Sequence, residues 1–363
     1  MTILERSRAY RELNAINYSS LKAIIEGTLR TRPEDTPSLT IGSLVDTMLT
    51  MPEHLNDLYH VMDTVPGEKP KKIVDEMFEV YTANPEIMVP LNQVSDWLIE
   101  LMDKYEYRGN ITDVTKRIAA LTKDCEAYYN ERLSSFGKTI VSSDDMELAS
   151  LVKSNIQTGR FTAPFHYVNN ALEVHHQVVK TFTVSGIAGK IMIDKLIVNK
   201  SDDPIMLGSY VLPGKHVLAI DYKTMSGSTL NFESQMWRFK YHIQGAFYSH
   251  GLSEWLRVNQ PEYQVADFAF IVESTTSPGR PIIYVMSDKD KMIGRWGAVK
   301  VNGNYVCALI GEQYDKVAAD YTLDVLGFEQ AIHLYKWHHE YDEWEYPREI
   351  IENNGVITTN QFK

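Results

Sequence analysis

The sequence predicts an α+β protein, an α/β core in which a mixed central sheet is flanked by helices. Two observations carry that reading. Five segments between residues 174 and 286 are rich in β-branched and aromatic residues, in the order strand, strand, strand, helix, strand, strand. Residues 61–159 and 312–340 instead space their apolar side chains at helical intervals. A helix set among strands in this order argues for a mixed sheet.

Each element can be justified in turn. The first fifty residues read as two short helices. Hydroxyls of Tyr18-Ser19-Ser20 precede apolar helical spacing through Ile25, residues 31–37 are a proline-punctuated loop, and a second helix covers 41–49. From 61 to 159 the helical pattern is broken at 66–72 and at Asn84-Pro85; residues 94–105 and 111–133 suit amphipathic helices. Ser142-Ser143-Asp144-Asp145 caps a further helix through about Ile156. Strands are expected at 174–184, 189–198, 216–224, 265–273 and 281–286, with one helix over 234–249. The expected organisation is an N-terminal helical part (1–56), a largely helical region (57–165), the α/β core (166–300) and a C-terminal helical segment (301–363).

Composition excludes several classes. Hydrophobic residues at 44% and charged residues at 23% of 363 are a globular balance rather than a disordered one. No stretch has the length of a membrane span, and no apolar segment follows a basic one at the start, so a cytoplasmic protein without a secretory signal is expected. Cys125 and Cys307 are too few for a four-cysteine metal site and are read as reduced thiols. There is no Walker loop and no GxSxG elbow. The net charge of −12 disfavours phosphate-rich partners, but residues 175–242 hold eight Lys/Arg against five Asp/Glu.

The chemistry concentrates in that stretch. Ile191-Met192-Ile193-Asp194 and Leu218-Ala219-Ile220-Asp221 each place an acid where an apolar strand leaves the core. Strand alternation puts Asp221 and Lys223 on one face and Tyr222 on the other. Two carboxylates brought side by side repel unless a cation lies between them, and hard oxygen ligands suit Mg²⁺, with Mn²⁺ as a substitute. The Tyr222 carbonyl can add a ligand, and Lys223 can orient a water or offset charge on a phosphate. An acid-x-lysine triplet is a weak signal, since about three are expected by chance at this composition. Asp221-Tyr222-Lys223 is the only one in the chain. The alternative is a surface strand carrying an Asp–Lys pair.

Several stretches in order resemble the PD-(D/E)XK exonucleases of the RecE and exodeoxyribonuclease VIII kind, found in phages and prophages. They are Tyr18-Ser19-Ser20-Leu21-Lys22, the helix from Ile41 to Leu49, the helix from Ser143, Asp194, Asp221-Tyr222-Lys223-Thr224, Tyr241-His242-Ile243-Gln244-Gly245-Ala246-Phe247-Tyr248, and Phe270-Ile271-Val272-Glu273. The resemblance implies a PD-(D/E)XK nuclease fold and a Mg²⁺-dependent 5′-to-3′ exonuclease acting on double-stranded DNA. Its single-stranded tails would serve a single-strand annealing protein in recombination, and a homo-oligomer is implied too. It adds Glu173 as a metal or water ligand, Gln244 beside the catalytic centre and Tyr248 as a DNA contact. Asp46 stands where the family usually carries histidine and is expected to ligate metal in its place. Arg238 and Lys240 are read as phosphate contacts, against the alternative of solvated charge.

Other readings remain open at this stage. An endonuclease of restriction, defence or replication uses the same metal chemistry, and a catalytically inactive DNA-binding relative would keep the fold. The connection 199–215 is expected to protrude as a turn that touches DNA or is inert. Glu329 and His333 are read as an exposed helical pair, and His338-His339 as surface.

Overall fold

The strands expected between 174 and 286 form one five-stranded sheet in the computed structural model, which describes residues 3–28, 37–63, 65–88, 90–166, 170–309, 314–320 and 322–355. Helices α1 (Ile3–Glu12), α2 (Tyr18–Glu26) and α3 (Pro37–Thr50) come first. Asn17 caps α2 by accepting from the Ser20 amide, and Gly27 closes it at φ 66°. The loop expected at 31–37 lies outside the described residues except for Pro37, which opens α3. Helix α1 had no expected counterpart.

The chain has two compact units, Met1–Pro52 with Ala149–Lys363, and Glu53–Leu148. The second contains α4 (Leu55–Leu58), β1 (Tyr59–Val61), α5 (Glu68–Ala83), α6 (Asp96–Lys104), α7 (Val114–Ser134) and β2 (Thr139–Val141). It has its own core, with Ile73, Val74, Met77, Tyr81, Leu98, Met102 and Leu121 fully buried. Helix α8 (Ser143–Thr158) leads back to the first unit.

There the chain continues with β3 (Leu172–Val184), β4 (Ile187–Asn199), the hairpin β5 (Ile205–Leu207) and β6 (Tyr210–Leu212), then β7 (His216–Met225). Helices α9 (Phe232–Arg238) and α10 (Tyr241–Asn259) cross over to β8 (Gln264–Ser274), followed by β9 (Ile282–Val285). The sheet order is β3-β4-β7-β8-β9; β7 and β8 are parallel and the other neighbours antiparallel, which is the mixed sheet expected. Ser185 (φ 47°) and Gly186 (φ 79°) form the tight turn between β3 and β4. Strands β7 and β8 are apolar on both faces because both are covered: Leu218, Ala219, Ile220, Phe268, Ala269, Phe270 and Ile271 are all fully buried. Helix α10 packs close to the sheet through Gly251, where a Cβ would stand 2.4 Å from the Phe182 ring.

The C-terminal part is α11 (Asp288–Trp296), β10 (Ala298–Val301), β11 (Asn304–Cys307), α12 (Tyr314–Ala318), α13 (Phe328–Tyr341) and α14 (Arg348–Glu352). Three expectations need correction. The helix expected over 234–249 is two, because Lys240 takes a left-handed φ of 64° between α9 and α10. The helix expected from 312 is two separate helices, with 310–313 and Tyr321 outside the described residues. Glu329 is buried rather than exposed, accepting from Ser185 Oγ at 2.6 Å and Arg295 Nε at 3.1 Å, and His338 is buried against the Glu343 carbonyl. The connection 199–215 does hold a hairpin, with Met206 and Val211 exposed beside each other. Among the described residues no helix is long and apolar enough to cross a membrane.

Candidate active site

The site forms where β4 and β7 part. Their pairing runs from Val198↔Val217 to Lys195↔Ile220 and stops there. Continuing that register by one residue puts Asp194 opposite Asp221. Beyond the last pair the two backbones no longer satisfy each other, and the Tyr222 amide donates to Asp194 Oδ2 at 3.0 Å instead. A strand residue's N–H and C=O point to the same side, so the Tyr222 carbonyl also faces the fork.

Asp221 is buried and doubly engaged. Gln244, from α10, donates through Nε2 to Asp221 Oδ1 at 2.5 Å, and Lys223 Nζ lies 2.6 Å from Oδ2. The Lys223 ammonium also sits 4.6 Å from the centre of the Tyr241 ring. A third carboxylate arrives from α3, whose Gly42 lets the helix approach Thr224 of β7. Asp46, one turn further along α3, accepts from Gln177 Nε2 at 3.4 Å and 3.5 Å. The same Gln177 amide donates to Thr50 Oγ1 at 3.0 Å.

Charge in the cluster is unbalanced. Burial pushes Asp46 up to about 7, the Asp221 charge adds to the rise, and Lys223, Gln177 and Thr50 oppose it. Asp194 is raised well above the carboxylate range by burial and then by the charges of Asp46 and Asp221. Burial works against the Lys223 ammonium, but Asp221, Tyr241 and Asp194 outweigh it and raise its pKa, so Lys223 keeps its proton. Three acids therefore face one cation.

Comparison with known proteins adds little to this geometry. No protein-family model and no curated protein matches the chain. A crystal structure from Eubacterium rectale named "Putative exonuclease" is similar at 13% identity and a TM-score of 0.40, over 97% of this chain and 85% of that one. Another, of SSO0001, is similar at 12% identity and a TM-score of 0.21, over 61% and 78%. The reading of the site rests on its own geometry.

Among the described residues no group of three His, Cys, Asp or Glu side chains stands arranged to hold a metal ion. The donor chemistry nevertheless fits a hard divalent cation. Asp46, Asp194 and Asp221 act on one another electrostatically, supply only oxygen, and crowd negative charge that raises the pKa of Asp46 and Asp194.

The structure thus brings together Asp46, Asp194, Asp221, Lys223, Gln244 and the Tyr222 backbone. Glu173 is not among them. It lies at the exposed start of β3, opposite Val198, with His175 at 3.1 Å and Lys200 at 3.7 Å as ion-pair partners. Three residues of strand separate it from Gln177, the β3 side chain that does reach the cluster. Tyr248 is buried against Phe268 and Gln244, which leaves it supporting Gln244 from behind rather than exposed to DNA. The Tyr222 ring points to the opposite face, where it stacks on His166.

Arg238 is exposed and Lys240 half-buried. Phe239 between them has the Arg238 guanidinium 5.4 Å and Lys22 Nζ 5.9 Å from its ring, and its carbonyl accepts from Tyr18 Oη at 2.8 Å. Asp221 and Tyr241 in turn help raise the Tyr18 pKa, after burial, so this basic and aromatic group lies within electrostatic reach of the acids. Gln177 and Thr50 were not singled out from sequence, and Tyr18 entered only within the Tyr18-Ser19-Ser20-Leu21-Lys22 stretch, with no role at the site. Only Thr50 had a usable signal, four residues after Asp46 on one helix face.

Proposed function

We propose that this protein is a metal-dependent deoxyribonuclease, and specifically a 5′-to-3′ exonuclease on double-stranded DNA. The observation that carries the proposal is the meeting of Asp194 and Asp221 at the β4–β7 fork, with Lys223 ion-paired to Asp221 at 2.6 Å. Asp194, Asp221, Asp46 and the Tyr222 carbonyl are the groups that would hold Mg²⁺ or Mn²⁺. A divalent ion bound there supplies positive charge to a scissile phosphate and acidity to a water.

The chain's own residues do the rest. Lys223, its pKa raised by Asp221, Tyr241 and Asp194, is placed as a donor and a positive charge toward phosphate oxygens. Gln244 fixes the rotamer of Asp221 by donating a hydrogen bond from Nε2 to Oδ1. Lys22, Arg238 and Lys240 offer cations for backbone phosphates without reading sequence. Exonuclease polarity, a homo-oligomer, a single-strand annealing partner and a cytoplasmic setting enter this reading through the family resemblance alone.

The test is a time course on linear duplex DNA labelled at either end, with and without Mg²⁺. Loss of 5′-terminal label only with Mg²⁺ is expected, and Lys223→Ala and Asp221→Asn should abolish it while remaining folded. Degradation at wild-type rates by either variant would overturn the assignment. Cutting of a closed circular duplex would move the reading to an endonuclease.

A further inference from the structure

Gln177 is the one buried polar residue of β3, with 1% of its surface exposed, and its backbone takes a φ of 48°. That left-handed conformation is uncommon for a residue with a side chain and tends to persist where the surroundings impose it. The β3–β4 ladder is interrupted at the same point. His176↔Lys195 and Val178↔Ile193 are paired, whereas Gln177 and Asp194 between them are not. Alternation slips there as well: Ile193 and Leu196 enter the same core although they are three residues apart. A kink at Gln177 thus takes both Gln177 and Asp194 out of the regular ladder.

The orientation of the amide is fixed by its partners. Thr50 Oγ1 donates to the Asp46 carbonyl at 2.8 Å, so it meets Gln177 as an acceptor and requires Nε2 on the α3 side. The Asp46 carboxylate requires the same. Gln177 Oε1 must then face away from α3, where it is buried and has no hydrogen-bond partner. A buried acceptor left unpaired, on an amide whose nitrogen engages Asp46, calls for a donor or a cation that the side chains do not provide.

From this we infer that Gln177 is a positioning residue for the divalent cation site, holding the Asp46 carboxylate in place and presenting its own unpaired Oε1 to the ion's hydration shell. The inference rests on the metal-dependent reading above and adds to it a residue that neither the acid-x-lysine pattern nor the family resemblance supplied. It also gives the kink a purpose, since a regular strand would carry Gln177 past Asp46.

Gln177→Gly separates the side chain from the backbone, because glycine adopts this φ without strain. The metal-free protein, without DNA, is titrated with Mn²⁺ and the free ion is followed by electron paramagnetic resonance. Affinity should fall by about tenfold or more, the usual range for losing a group that orients a ligand, while the thermal midpoint of the metal-free protein does not fall. Gln177→Asn, which tolerates the same φ and keeps an amide, should bind more tightly than Gln177→Gly.

Asp194→Asn is the control for the site itself. If it loses Mn²⁺ while Gln177→Gly binds within twofold of wild type, this inference is overturned and the metal-dependent reading stands. If wild type binds no better than Asp194→Asn, both are overturned. Should Gln177→Gly fail to fold, Thr50→Val carries the test by removing the hydroxyl that orients the amide. A several-fold loss is expected, and unchanged affinity in Thr50→Val would overturn the inference.

Discussion

Asp46→Asn should make the metal-free protein more stable than wild type at pH 8, although it removes a candidate ligand. In the folded chain burial and the neighbouring Asp221 charge push Asp46 from its ordinary 3.8 up to about 7. An acid whose folded pKa lies above its unfolded value binds its proton more tightly when folded, so stability falls as pH rises through that window. Three units at about 1.4 kcal/mol each amount to roughly 4 kcal/mol at pH 8, and about 2 kcal/mol at pH 5, where the folded acid is protonated but the unfolded one is not. Asparagine keeps the shape, still accepts from Gln177, and removes the cost. Five of the six tryptophans lie in the unit that carries the site, so urea unfolding followed by tryptophan fluorescence reports on it. The gain of Asp46→Asn over wild type should halve between pH 8 and pH 5. A variant less stable than wild type at pH 8, or a gain that grows toward pH 5, would refute the electrostatic reasoning.

Three further outcomes follow from other parts of the molecule. Gly251→Ala should destabilise by about 1–3 kcal/mol in urea, since its Cβ would meet the Phe182 ring at 2.4 Å in a packed core. Gln244→Leu leaves Asp221 Oδ1 without its donor and should slow degradation of linear DNA about 10–100-fold with the fold intact, as measured by initial rates and circular dichroism. Lys195 is buried with its ammonium 3.2 Å from His166 Nδ1, and burial lowers its pKa to about 8. A folded pKa below the unfolded value costs stability at pH 7, and the cost fades as pH rises from 8 toward 10.5. Lys195→Met should therefore stabilise by about 1–3 kcal/mol at pH 7 and by less at pH 10, read from urea midpoints.

The sheet was legible because its strands obey local rules: β7 and β8 are so apolar that no other placement satisfies them. The fork was legible too, since an acid at the end of each apolar run marks where a strand leaves the core. Gln177 was not, because nothing in His176-Gln177-Val178 signals a left-handed φ, and its value comes from Asp46, 131 residues away. Glu173 misled for the opposite reason. It is the obvious acid on β3, yet three intervening residues of strand carry it away from the fork to partners at the surface. Glu329 and His338 were taken for surface groups because helical spacing counts charge but cannot show which neighbours bury a face.

The Glu53–Leu148 unit has a temporal consequence. Asp46 emerges from the ribosome before that stretch, while Gln177, Asp194 and Asp221 follow only after all of it has been made. At about 5–20 residues per second the wait is on the order of ten seconds, long enough for the intervening unit to collapse around its own apolar residues first. The acids cannot converge before then. The cluster of carboxylates is therefore assembled only once the intervening unit has been made.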